Sequence, residues 1–70
     1  MKCILILDDN IELLEYLKEC FLECNFKVLV ASNGKDGLKI LKTNQIDFIL
    51  TDIRMPEMDG VGFIKQVRLL

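Results

Sequence analysis

The sequence predicts an α/β domain in which strands and helices alternate as βαβαβα around a parallel sheet. Three observations lead there. Two apolar runs, Cys3-Ile4-Leu5-Ile6-Leu7 and Phe48-Ile49-Leu50-Thr51, lack the polar–apolar alternation of a sheet with one wet face. Continuous apolar strands are expected where helices cover both faces. The segments between them carry apolar residues at helical spacing. Finally, each run ends in carboxylate, Asp8-Asp9 after the first and Asp52 after the second. Ligand sites of open α/β sheets lie outside the carboxyl ends of the strands, so these acids are candidates for one shared site.

The elements follow in order. Lys2 to Leu7 reads as the first strand. Asn10 is an N-cap for a helix from Ile11 to about Cys24, where Ile11, Leu14, Leu17 and Phe21 recur at spacings of three and four. Leu13, Cys20 and Cys24 widen that stripe, and Glu12 sits in the first turn, where acid suits the helix dipole. Asn25 is a stop signal. Phe26 to Val30 is the second strand. Asn33-Gly34-Lys35-Asp36 then offers an N-cap with an acid three residues on. The second helix runs from Gly34 to about Lys42, with Leu38 and Leu41 inward and Ile40 at the margin. Gly37 inside it costs roughly 0.5–1 kcal/mol relative to alanine. Thr43-Asn44-Gln45 is a polar loop. The third strand, Ile46 to Thr51, is interrupted only by Asp47 near its start. Pro56 ends regular structure, and Asp59 caps a third helix starting near Gly60, its period set by Val61, Ile64 and Val67 or Arg68.

Composition narrows the function classes. Seventy residues, 51% hydrophobic and 29% charged, describe one small globular unit. The net charge of -2 comes from interspersed acids and bases. No basic stripe marks a nucleic-acid surface. There is no histidine, and three cysteines, Cys3, Cys20 and Cys24, are too few for a zinc site. They read as buried or half-buried free thiols in a reducing cytosol. The first apolar run is too short for a signal peptide or a membrane span. The third helix reaches the last residue, which reads as a fragment or as a chain whose remainder is not shown.

The acids carry the chemistry. Asp8, Asp9 and Asp52 converge if the first and third strands are neighbours. Crowded carboxylates repel, so a cation or a proton must neutralise some of them. Oxygen donors alone favour a hard ion such as Mg²⁺, which commonly binds one or two carboxylates together with a phosphate. Two acids can then hold metal while the third attacks phosphorus to form an acyl phosphate. Single Asp residues after strands are often only helix caps, and Asp59, Asp36 and Asp47 are read that way or as solvent-facing. Met55-Pro56 forces a turn just beyond Asp52 that can aim the Arg54 carbonyl at the metal. The Arg54 side chain is either a rim group or a plain surface arginine.

Leu5-Ile6-Leu7-Asp8-Asp9-Asn10, Ala31-Ser32-Asn33-Gly34 and Ile49-Leu50-Thr51-Asp52-Ile53-Arg54-Met55-Pro56-Glu57-Met58-Asp59-Gly60 together closely resemble the receiver domain of two-component response regulators. The resemblance covers residues 1–70 and implies a flavodoxin-like, doubly wound parallel sheet. The family has a (βα)5 fold with strand order 2-1-3-4-5, of which the first three βα units are present here. It implies that Asp52 is the phosphoacceptor and that Asp8 and Asp9 bind Mg²⁺, with Asp9 the more direct ligand. The Arg54 backbone carbonyl would be a further metal ligand beside Asp52. The donor would be a phosphohistidine on a sensor histidine kinase or histidine phosphotransfer protein, in the cytoplasm. The receiver would relay the signal to an output domain or effector protein beyond residue 70. Such a domain is a phosphoacceptor with self-catalysed chemistry rather than a conventional enzyme.

Some departures are mild. Asn10 stands where the family often has Glu, and Gly37 where it often has Ala. The family's Ser or Thr after the fourth strand and Lys after the fifth have no counterpart in these residues; Lys65 and Arg68 lie in the third helix and do not take that lysine's place. An alternative reading is a pseudo-receiver or incomplete domain acting only in protein contacts, although none of Asp8, Asp9 and Asp52 is lost. A Mg²⁺-dependent aspartyl phosphohydrolase would carry a second Asp where this chain has Arg54. An open edge on the third strand and apolar side chains on the first helix lead to the expectation that residues 1–70 alone are either weakly folded or self-associated.

Overall fold

The computed structural model describes residues 1–51. The expected turn at Pro56, the Asp59 cap and the third helix lie outside the described residues. Five elements alternate: β1 Cys3–Leu7, α1 Ile11–Glu23, β2 Lys27–Ala31, α2 Gly34–Thr43 and β3 Phe48–Thr51. The strands form one parallel sheet in the order β2-β1-β3, with Leu7 level with both Ala31 and Thr51.

That order places the helices. The crossover from β1 to β2 steps one way along the sheet, and the crossover from β2 to β3 steps back past β1. Right-handed crossovers in opposite directions put their helices on opposite faces. The packing agrees. Ile4 and Ile6 pack with Leu14, Leu17, Phe21, Phe26, Val28 and Val30 on the α1 side. Leu5, Leu7 and Ala31 pack with Leu29, Leu38, Ile40, Leu41 and Ile46 on the α2 side. All five residues of β1 are buried, and Leu5, Ile6 and Leu7 almost completely so. Burying each of these side chains contributes about 1.5–3 kcal/mol, so β1 is the spine of the fold. Its lack of alternation is thus explained: both faces are core.

Element ends follow from where backbone groups find partners. The Asn10 side chain accepts from the Leu13 N–H at 3.2 Å, capping α1 as expected. At its other end α1 closes in a Schellman motif. The Asn25 N–H donates to the Leu22 carbonyl and the Phe26 N–H to the Phe21 carbonyl, both at 3.1 Å. Asn25 takes the left-handed conformation this needs, φ 66°, and the rings of Phe21 and Phe26 meet edge to face at 5.5 Å. Since the Phe26 N–H is committed to the helix, β2 begins one residue later than the sequence suggested and runs on to Ala31. The Asn33–Asp36 box opens α2 with bonds of 2.8 and 3.1 Å. Gly37 is buried, marking a close approach of the α2 backbone to its surroundings rather than only a weak helix position.

Other expectations need correction. β3 is shorter than expected because Asp47 is held by β1 through both its backbone and its side chain before the regular strand starts. Ile11 was expected on the inward stripe of α1 but is 57% exposed. It opens the helix just outside the edge where β1 and β2 end. Leu13 is also exposed, and the inward stripe narrows to Leu14, Leu17 and Phe21. Ile40 packs with Leu38 and Leu41 against the same core. The three cysteines are free: Cys3 is buried and Cys20 half-buried, but Cys24, at the helix C-cap, is exposed.

Candidate functional site at the carboxyl edge of the sheet

The strand order reverses between β1 and β3, and the crevice beyond the carboxyl ends at such a switch point is where open α/β sheets bind ligands. Asp8 and Asp9 stand at that edge. The Asp8 N–H donates to the Ala31 carbonyl at 3.2 Å, extending the β1–β2 ladder by one bond. The chain then turns sharply. Asp8 Oδ1 accepts from the Asn10 N–H at 2.9 Å, an Asx turn that hands the chain to the α1 cap. Asp8 is half-buried and Asp9 exposed. A carboxylate has about four lone-pair sites, so one internal hydrogen bond leaves Asp8 able to accept further partners.

Register brings the third strand to the same level. Leu7, the residue before Asp8, is paired with Thr51, the residue before Asp52 in the chain. Asp52 and Arg54 themselves lie outside the described residues. Among the described residues, no group of three or more His, Cys, Asp or Glu side chains stands together as a metal site. The donors at this edge are carboxylate oxygens, which suit a hard cation and not a thiophilic one.

Ile11, Leu14, Glu15, Val30, Ala31, Ser32 and Asp36 line a groove of about 240 Å³ beside the acidic edge. That is below the roughly 300–1,000 Å³ usual for small-molecule pockets. A larger depression of about 450 Å³ lies at the opposite edge, lined by residues that include Lys2, Lys27 and Asp47. It is remote from Asp8 and Asp9.

One residue carries more than the sequence reading gave it. Asp47 Oδ2 accepts from the Cys3 N–H at 2.8 Å, while the Asp47 N–H donates to the Cys3 carbonyl at 2.9 Å. The signal in the sequence was an acid interrupting the start of an otherwise apolar strand.

A parallel α/β sheet with paired acids at its switch point defines a class of domain that gathers carboxylates at one edge. Comparison with known proteins identifies it. Residues 4–70 match the response regulator receiver domain family, and the chain belongs to that family. It is 38% identical over 68 residues to the transcriptional regulatory protein CpxR of Klebsiella pneumoniae, covering 97% of this chain and 29% of CpxR. Among solved structures it is similar to the chemotaxis response regulator CheY4 of Vibrio cholerae, with a TM-score of 0.95 at 29% identity over 99% of this chain and 57% of that one. It is also similar to the response regulator TrrA of Thermotoga maritima, at 33% identity and a TM-score of 0.92, covering 99% of this chain and 60% of TrrA. TrrA has been crystallised with Mg²⁺-BeF and, separately, with the histidine kinase ThkA. The chain spans less than two thirds of the length of each of these relatives. The strand order β2-β1-β3 is the first part of the flavodoxin-like order expected from the sequence. Among the described residues, no helix is long and apolar enough to cross a membrane.

Proposed function

We propose that this chain is the phosphoacceptor part of a two-component receiver and that Asp52 takes a phosphoryl group from a phosphohistidine. The observation that carries the reading is the pairing of Leu7 with Thr51, which sets the residues before Asp8 and before Asp52 side by side at the switch point. Asp8, Asp9, Asp52 and the Arg54 carbonyl would hold Mg²⁺. Bound there, the ion would offset the charge of the incoming phosphoryl oxygens and of the clustered carboxylates. An Asp52 carboxylate oxygen attacks phosphorus as the phosphorus–nitrogen bond to histidine breaks. The imidazole leaves with the bonding electron pair and can take up a proton. Asp8, fixed by its Asx turn, orients one donor oxygen, and Asp9, exposed beside it, provides a more accessible one. The partner is a sensor histidine kinase or a histidine phosphotransfer protein in the cytoplasm, and an output domain or effector reads the result. Nucleic acid and membrane are not direct partners of this segment. The complex of the related TrrA with a histidine kinase, and its Mg²⁺-BeF form, support the partner and the ion.

Transfer from a phosphorylated kinase to the full-length protein tests the reading. Label should appear in the presence of Mg²⁺, be labile in acid and base, and vanish in Asp52→Asn. Persistence of that label in the variant excludes Asp52 as acceptor. Asp9→Asn should weaken Mg²⁺ binding in a titration, because one anionic ligand is lost; unchanged affinity excludes its metal role.

A further inference from the structure

We propose that Asn33 is a modification site: the Asn33–Gly34 peptide deamidates spontaneously, and the capping box at the start of α2 holds it unreactive until the first turn of that helix opens. The inference does not depend on the proposed phosphoryl transfer. In the reaction the Gly34 amide nitrogen attacks the side-chain carbonyl carbon of Asn33. The proton it gives up ends on the departing ammonia, and the two residues are left joined in a succinimide ring. Water then opens the ring at either carbonyl and leaves aspartate or isoaspartate at position 33. A following residue with no Cβ leaves the attacking nitrogen unhindered, so asparagine before glycine is the pair most open to this chemistry. Asn33-Gly34 is the only such pair in the sequence.

The structure blocks each requirement of ring closure. Closure must bring the Asn33 Cβ and the Gly34 nitrogen close to eclipsed about the Cα–C bond, and at the observed ψ of 166° they are far from it. The side-chain amide is also held. Its Oδ1 accepts the Asp36 N–H at 2.8 Å, and its Nδ2 donates to Asp36 Oδ2 at 3.1 Å. Two bonds fix the plane of the amide, so its carbonyl carbon cannot swing toward Gly34. Gly34 is itself buried, which keeps base from its N–H. The bonds of the box lie within residues 33–36 and do not depend on what packs against β3 or α1. The product cannot rebuild the box. A carboxylate at position 33 still caps the helix. It has no N–H for Asp36, however, and would meet that carboxylate across the present 3.1 Å contact, where like charges repel. Isoaspartate also lengthens the backbone by a methylene inside the cap. The change falls beside the candidate site. The Ala31 carbonyl, two residues earlier, receives the Asp8 N–H, and Ser32 and Asp36 line the groove next to the acids.

The test follows the mass gain of amide hydrolysis at Asn33 by peptide mass spectrometry, in the full-length protein at mildly alkaline pH, folded and in urea. Folding should slow the reaction by about tenfold or more. Asp36→Ala removes the acceptor for Nδ2 and keeps the backbone N–H. It should raise the folded rate by about two- to tenfold and leave the rate in urea unchanged. Leu17→Ala loosens the core under α1, on the other face of the sheet, and at a temperature where it stays folded its rate should match wild type. Equal rates in folded and urea-unfolded wild type, no hydrolysis at Asn33 in urea, or a folded rate unmoved by Asp36→Ala each overturns the inference. An acceleration in Leu17→Ala equal to that in Asp36→Ala overturns it as well, since global unfolding and not the box would then gate the reaction.

Discussion

Asn10 links the site to the fold at the scale of one residue. Its backbone N–H holds Asp8 Oδ1, and its side chain holds the Leu13 N–H. Replacing Asn10 by alanine keeps the first bond and removes the second. The expected loss of stability is about 1 kcal/mol, typical of a lost N-cap, measured by urea unfolding of the full-length protein. Since the backbone bond to Asp8 survives, the acidic edge should be less affected than α1. An unchanged unfolding midpoint would mean that water replaces the cap at no cost. The same logic separates Asp8 from Asp9. Asp8 is partly committed to shaping the loop, whereas Asp9 is exposed beside it.

At the scale of elements, β1 dominates. Leu5 has no exposed surface and anchors the cluster beneath α2. Truncation to alanine there is expected to cost about 2–5 kcal/mol. Against a typical total of about 5–15 kcal/mol, that removes a large share of the stability of a small domain. Chemical denaturation of Leu5→Ala checks it; a loss below about 1 kcal/mol would show that the neighbouring side chains collapse into the space. Such a strand is legible in sequence because five consecutive apolar residues have few other uses. The Asn10 and Asn33 caps were legible for the same kind of reason, since their side chains bond locally. The start of β2 was not, because it depends on the Phe26 N–H being taken by the Phe21 carbonyl, a consequence of how α1 ends. Nor was the exposure of Ile11, which periodicity alone assigns to the core; only the position of the sheet edge decides it. Asp47 was visible as an interruption, but its partner lies forty-four residues away in sequence, beyond the reach of local reading.

At the scale of the whole molecule, apolar exposure is concentrated where packing is thin. Phe48, Ile49 and Leu50 on β3, and Ile11, Leu13, Tyr16 and Leu22 on α1, are all exposed. Within the described sheet β3 is an edge strand, and edges with apolar side chains invite pairing with another chain. A polypeptide of residues 1–70 is therefore expected to self-associate, with a sedimentation coefficient that rises with concentration. A single monomeric species with a sharp unfolding transition would show that these exposed residues are tolerated.

On the proposed function, the carboxyl edge of this sheet carries a phosphorylated aspartate. Reduction of an acyl phosphate with borohydride converts the modified aspartate to homoserine, which peptide mass spectrometry locates. After transfer from a phosphorylated kinase in Mg²⁺, the full-length protein should yield homoserine at position 52 in place of Asp52, and chelation of Mg²⁺ should abolish it. Homoserine at another position, or none despite stable incorporation of phosphate, would contradict the account.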